Sequence, residues 1–203
     1  MPRIDWRVAL RVFLGFLAGL AVWTMLSPLY GGAVISATNV ALHSFEKPNV
    51  SKLRPGTENY AIVDRSDFDP RSTQRPQVPV HDLTFNFILL TALFAIGPLS
   101  DRHVVGFLVS CAILYVTHVL GLVTEVMTIY SQKLGMWSQV NYSDLSRNVW
   151  SVSNHFYRLV LMYAIAFALW WIFRGKSDDA SRHARRSGRA HERRHHHAQR
   201  ANR

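Results

Sequence analysis

The chain alternates between long apolar runs and polar stretches, and four of the runs set its plan. VFLGFLAGLAVWTML fills residues 12–26 and LTFNFILLTALFAIGPL residues 83–99, while a third run covers 105–127 and a fourth 152–173. A helix needs about 20 predominantly apolar residues to cross a hydrocarbon core of about 30 Å. The third and fourth runs reach that length; the second is slightly short and is ended by Gly97-Pro98. The pattern predicts an all-α membrane protein with four transmembrane helices, within residues 1–27 and at about 83–99, 105–127 and 152–173. The turn Ser100-Asp101-Arg102-His103 is so tight that the second and third helices must be antiparallel neighbours.

The stretches between the runs have their own signatures. Residues 31–45, GGAVISATNVALHSF, suit a helix lying on the membrane or projecting from it, ended by Pro48 and by Pro55-Gly56. Residues 60–63 and 77–80 read as strands, so residues 28–82 are expected to form a small strand-containing extracytoplasmic insertion. Residues 128–150 form a second loop rich in interface aromatics (Tyr130, Trp137, Tyr142, Trp150), with room for a short re-entrant or surface helix.

Charge orients this plan. The net charge is +10, and residues 174–203 hold ten Lys or Arg against Asp178, Asp179 and Glu192, a surplus of seven. Arg3, Arg7 and Arg11 precede the first run as in a signal sequence. With no A-x-A site after that run, a retained signal anchor is the reading. Four crossings put Arg3, Arg7, Arg11, Arg102 and the tail on one side, which the positive-inside rule makes cytoplasmic. The expected location is a bacterial inner membrane, multi-pass, with both termini cytoplasmic and the two larger loops outside.

Within the third run Cys111, His118 and Glu125 stand seven residues apart, and each such step on a helix returns to within about 20° of the same face. Topology separates them by depth: Cys111 falls in the inner half and reads as a packing residue, whereas Glu125 lies near the outer end. The fourth run places Asn154, His155 and Arg158 in its outer third, and Asn86 enters the second at a similar level. Asn86, His118, Glu125, Asn154, His155 and Arg158 are therefore the expected polar cluster and partner-binding site. Glu125 pairs with Arg158, because opposite charges at equal depth offset each other's desolvation. Such groups serve either as interhelical hydrogen-bond glue or as a site for a peptide, a headgroup or a partner helix.

The remaining chemistry is sparse. One cysteine forms no intramolecular disulfide. Asp64, Asp67 and Asp69 lack the glycine and closing glutamate of a calcium loop, and His195 to His197 sit in a basic segment without acidic or thiol partners, so no metal or cofactor is expected. No Walker loop, His-Glu-x-x-His, Gly-x-Ser-x-Gly or Cys-x-x-Cys motif supports a soluble enzyme. The tail's composition cannot bury a core, and it is expected to be a disordered cytoplasmic segment. Its Arg174, Lys176, Arg182, Arg185, Arg186, Arg189, Arg193 and Arg194 suit anionic lipid headgroups at about 1 kcal/mol each near the surface. Nothing accompanies that charge to suggest specific nucleic acid.

An N-terminal anchor followed by Ser27-Pro28-Leu29-Tyr30, a strand-bearing outer loop and the segment LTFNFILLTALFAIGPLSDRHVVGFLVSCAILYVTHVLGLVTEV resembles, over residues 12–125, the small membrane proteins that accompany exosortases in bacteria. The resemblance lies in layout and hydropathy. It implies an accessory role beside a membrane enzyme that processes C-terminal sorting signals of exported proteins, with an exosortase as partner. Exosortases themselves use a Cys, an Arg and a His near the outer face, and Cys111 lies at the wrong depth for that set. The expectation is a non-enzymatic accessory protein in sorting, export or envelope assembly. A membrane-embedded exosortase-like cysteine transpeptidase or protease and a small transporter subunit are the alternatives.

Overall fold

The computed structural model describes residues 6–45, 50–67, 75–97 and 100–174. Its first element, α1 (Trp6–Phe45), is a single helix of 40 residues, about 60 Å long. It does not stop at Ser27-Pro28. Pro28 removes the amide that would bond the carbonyl of Thr24, yet the helix continues, because Val34, Ile35 and Leu42 beyond it are buried against later parts of the chain. Residues 31–45, expected to lie on or project from the membrane, thus continue the first helix.

A three-stranded antiparallel sheet, ordered β1 (Ser51–Pro55), β2 (Tyr60–Arg65), β3 (Gln77–Pro79), packs on this projecting half. Leu53 pairs with Val63, and Ala61 with Val78, so alternation turns Leu53, Ala61, Val63 and Val78 to one buried face. The Asn39 side-chain amide clamps β1 to α1: it donates to the Leu53 carbonyl at 3.0 Å and accepts from the Leu53 amide at 2.8 Å. Two of the three strands match the expected ones. β1 is additional, and Val80 belongs to the next helix rather than to β3.

Helices α2 (Val80–Thr84) and α3 (Asn86–Phe94), separated only at Phe85, run back along α1. Gly31 faces Val80, Trp23 bonds Thr84 at 3.2 Å, Gly19 meets Thr91 and Gly15 meets Ala95, which is an antiparallel pairing. The spacing Gly15-x-x-x-Gly19 permits it, since a Cβ on Gly19 would collide with the Thr91 side chain and one on Gly15 with Ala95. Helix α4 (Asp101–Thr128) then runs back antiparallel beside α3, with Phe107 against Phe94 and His118 against Asn86.

After α4 the chain makes a π-helical turn (Ile129–Lys133), the short α5 (Met136–Asn141) and α6 (Asp144–Phe156), followed by a second π-turn (Tyr157–Leu161) and α7, residues 162–174. This last run returns antiparallel to α4: the Trp150 carbonyl accepts from Thr128, Tyr157 fills the space at Gly121, and Phe173 lies against Gly106. It begins eight residues before the apolar run expected at 152, capped by the Ser143 hydroxyl accepting from the Ser146 amide.

The protein is therefore mostly helical with one small sheet. Among the described residues three helical runs are long and apolar enough to cross a membrane: Trp6–Ser44, Asp101–Lys133 and Asp144–Arg174. The segment expected to span at 83–99 is the shorter helical run Val80–Phe94, about 22 Å long. Length and composition thus single out three runs rather than the four expected. Cys111 packs beside Leu90, Phe94, Leu114, Ala166 and Leu169, away from the outer polar groups.

Candidate functional site: a lateral cleft at the outer end of the bundle

A cleft of about 660 Å³ opens between α2, α4 and the π-turned helix α6–α7. Each long wall carries one of the two π-turns at its rim, and such single-turn bulges often mark functional positions because they rotate side chains out of regular register. Glu125, Thr128, Gln132 and Lys133 line one wall, and Asn154, His155, Arg158, Leu159, Met162 and Tyr163 the other. His81, Asp82 and Phe85 close the third side, with Trp23 from α1.

Glu125 lies at the centre and is only 5% exposed. Arg158 Nε is 3.4 Å from its Oε2 and Lys133 Nζ is 3.8 Å from its Oε1. The Arg158 contact is an ion pair without hydrogen-bond geometry, so Oε2 has no hydrogen-bond partner among the described residues. The carboxylate is held by two half-exposed cations that do not exhaust its acceptors, in place of the bidentate fork that guanidinium and carboxylate can form. One turn from Arg158, Asn154 is also 5% exposed, and its Oδ1 likewise lacks a partner. Two buried acceptors therefore border the cleft unsatisfied, each costing about 1–3 kcal/mol unless a donor reaches it.

The expected cluster divides into two. Glu125, Asn154, His155 and Arg158 share the cleft, whereas Asn86 and His118 belong to a separate network below it. There Asn86 Nδ2 donates to the Met162 carbonyl at 2.8 Å, which turns its Oδ1 toward His118 Nε2 at 2.6 Å. His118 Nε2–H is thus the donor and Nδ1 the acceptor of the Tyr30 hydroxyl, 2.7 Å away. Four helical segments are joined by this neutral relay, buried to 0% exposure at His118. Each polar group in it is satisfied, as a lipid-embedded interior requires.

Sequence reasoning missed Tyr30, His81, Asp82 and Lys133. Tyr30 could not be placed in the cluster because its partner lies 88 residues away. Lys133 could have been found from its spacing, two helical turns beyond Glu125. Among the described residues no three His, Cys, Asp or Glu side chains gather as metal ligands. Arg174 closes the last helix with its guanidinium 5.0 Å above the Trp170 ring. The other lipid-binding candidates, Lys176, Arg182, Arg185, Arg186, Arg189, Arg193 and Arg194, lie outside the described residues.

Above the cleft the sheet has its own fixture. Arg65 lies against the rings of both Tyr130 and Trp137, 4.7 and 4.8 Å from their centroids, and its Nε and Nη2 donate to Asp67 at 2.9 and 3.1 Å. That hydrogen-bonded guanidinium holds the Asp67 carboxyl below its ordinary 3.8. Tyr130 in turn donates to Ser51 of β1 at 2.8 Å, so this residue of the first π-turn ties the sheet to the helix that carries Glu125.

Three helical runs long and apolar enough to cross a membrane, joined by a buried hydrogen-bonded relay, define an integral membrane protein. More particularly, the chain belongs to the family of exosortase H-associated membrane proteins, whose model matches residues 5–177. That span takes in the whole bundle, the sheet and the cleft. Comparison with curated proteins and with solved structures finds no match.

Proposed function

We propose that this protein is a non-enzymatic accessory subunit of a bacterial inner membrane, assisting an exosortase of the H type in sorting or exporting envelope proteins. The observation that carries the reading is the family match over residues 5–177, since the family is described by its association with exosortase H. The contact surface is the extracytoplasmic sheet together with the rim of the cleft. The contact of Arg65 with the rings of both Tyr130 and Trp137 supports this, because it makes sheet and cleft wall one body that a partner can grip.

In this reading the chain crosses the membrane four times. α1 and α4 both run antiparallel to α2–α3, so the chain must return between them, and Val80–Phe94 with the turn after it makes that return. Both termini then share a side, which the basic residues at Arg7, Arg11, Arg102 and the tail make cytoplasmic. The tail contacts anionic headgroups there.

The test is photo-crosslinking in membranes that contain both proteins, from probes at the exposed cap positions Lys52 and Arg54. The expected result is an adduct with the exosortase that disappears when probes are moved to Leu108 on the bundle's apolar surface. Adducts lacking the exosortase at every cap position, with sorting unchanged on deletion of this chain, would overturn the reading.

A further inference from the structure

The cleft presents two kinds of polar group in a fixed order. Going inward along the last helical run, Asn154 comes first, near the Glu125 carboxylate, and its Oδ1, like Glu125 Oε2, lacks a partner among the described residues. Arg158 follows one turn, about 6 Å, further in and has a side chain 39% exposed at the mouth, a donor of positive charge. Leu159 and Tyr163 come next, and they are exposed on the side that faces lipid. Below Lys133 at the rim, acceptors, then a cation, then apolar surface complement a group that carries an N–H cation outermost, an anion two carbons inward and hydrocarbon beyond.

We propose that the cleft binds the headgroup of a phospholipid with a primary ammonium, a phosphoethanolamine. The ammonium donates to Glu125 Oε2 and Asn154 Oδ1, and the phosphate lies against Arg158 with Lys133 at the rim. The acyl chains leave between Leu159 and Tyr163. This arrangement satisfies both orphaned acceptors and gives Arg158 an anionic partner besides Glu125. It accounts for an ion pair left at 3.4 Å without hydrogen-bond geometry: the pair borders a site rather than sealing an interior. The lateral opening favours a lipid over a peptide, since a ligand that enters past Leu159 and Tyr163 comes from the bilayer. The inference does not depend on the exosortase partner; lipid retention by the isolated chain and crosslinking in membranes can each fail alone.

The experiment uses the full chain purified in a nonionic detergent and offers it phosphatidylethanolamine, phosphatidylcholine or phosphatidylglycerol with identical acyl chains. The wild-type protein is measured first, so no variant's folding enters the main comparison. Phosphatidylcholine keeps the positive charge and the phosphate but has no N–H, and is the decisive control. We expect phosphatidylethanolamine to be retained about five-fold or more over either other lipid, as the loss of a charge-assisted hydrogen bond implies, and to raise the thermal midpoint selectively. Asn154→Leu and Glu125→Gln, each melting in a single transition, abolish the preference, whereas Arg158→Gln weakens phosphatidylethanolamine and phosphatidylcholine together. Equal retention of phosphatidylethanolamine and phosphatidylcholine by the wild type overturns the proposal. So does a preference that survives both acceptor substitutions, or displacement of the lipid by a lysine-bearing peptide at equal concentration.

Discussion

The Tyr30 hydroxyl lies 2.7 Å from His118 Nδ1, an acceptor position fixed by the hydrogen bond that His118 Nε2 gives to Asn86 on a third segment. The two ends of this relay can be cut unequally. Tyr30→Phe leaves the buried His118 Nδ1 without a donor and should cost about 1–3 kcal/mol. His118→Ala leaves Asn86 Oδ1 buried without a donor and opens a void, and should cost about 2–4 kcal/mol. Reversible unfolding in mixed micelles gives both numbers, and equal losses would show that the relay is not connected through the histidine.

Glu125 and Arg158 should be coupled but not strongly. Arg158 is more than a third exposed, so solvent screening brings the pair nearer to a surface bridge than to a buried one. Removing either charge should cost about 1 kcal/mol, and the exchange Glu125→Arg with Arg158→Glu should recover part of the summed loss. A double-mutant cycle on thermal midpoints in detergent tests this; strictly additive losses mean that the two charges do not interact.

Close approach of α1 and α3 depends on the missing side chain at Gly19. Gly19→Leu should separate the helices and cost about 2 kcal/mol or more through overpacking against Thr91. Gly32→Leu, with nothing within 4 Å of its Cβ position, is the matched control and should be nearly silent. Loss of a disulfide engineered between α1 and α3, seen only in Gly19→Leu, would locate the effect at this contact.

The clamp on Arg65 gives the cap a pH dependence of known sign. Asp67 is held below its ordinary 3.8 when folded, so its contribution is present above that value and is lost as pH falls through the lower, folded value. The pair is exposed at Asp67, so the effect is small. Asp67→Asn should lower the cap's melting point slightly at neutral pH, leave it unchanged below the folded value, and so flatten the acid limb of its melting profile. Arg65→Lys should lower stability at every pH, since lysine replaces neither the double hydrogen bond nor the guanidinium's contact with the Tyr130 and Trp137 rings.

Single cysteines on a Cys111→Ser background test the number of crossings. Labelling of whole cells by an impermeant maleimide should mark position 52 in the sheet and spare position 102 in the turn before α4. Labelling at both would mean that Val80–Phe94 does not carry the chain across.

What the sequence disclosed follows from how each element is held. The long apolar runs were legible because lipid demands them, and β2 and β3 because Ala61, Val63 and Val78 alternate inward. β1 was not: in SKLRP only Ser51 and Leu53 are buried, and the strand is held by Asn39 and by β2, neither visible locally. The continuation of α1 past Pro28 and two glycines was hidden for a similar reason, since the sheet that buries Val34 and Leu42 comes later in the chain. The meeting of Glu125 and Arg158 could be read from depth alone. The division between cleft and relay could not, because one face of α4 meets Tyr30 and Asn86 at one height and the π-turned helix at another.

The unbroken length of α1 has a mechanical consequence. About half of its roughly 60 Å stands clear of a 30 Å hydrocarbon core, so the sheet rides on a lever rooted in the membrane. Tilting that helix by about 10° sweeps its outer end sideways by about 5 Å, and helices adjust their tilt to bilayer thickness. Because Tyr130 and Arg65 also tie the sheet to the helix that carries Glu125, such a tilt would carry the sheet and the cleft together.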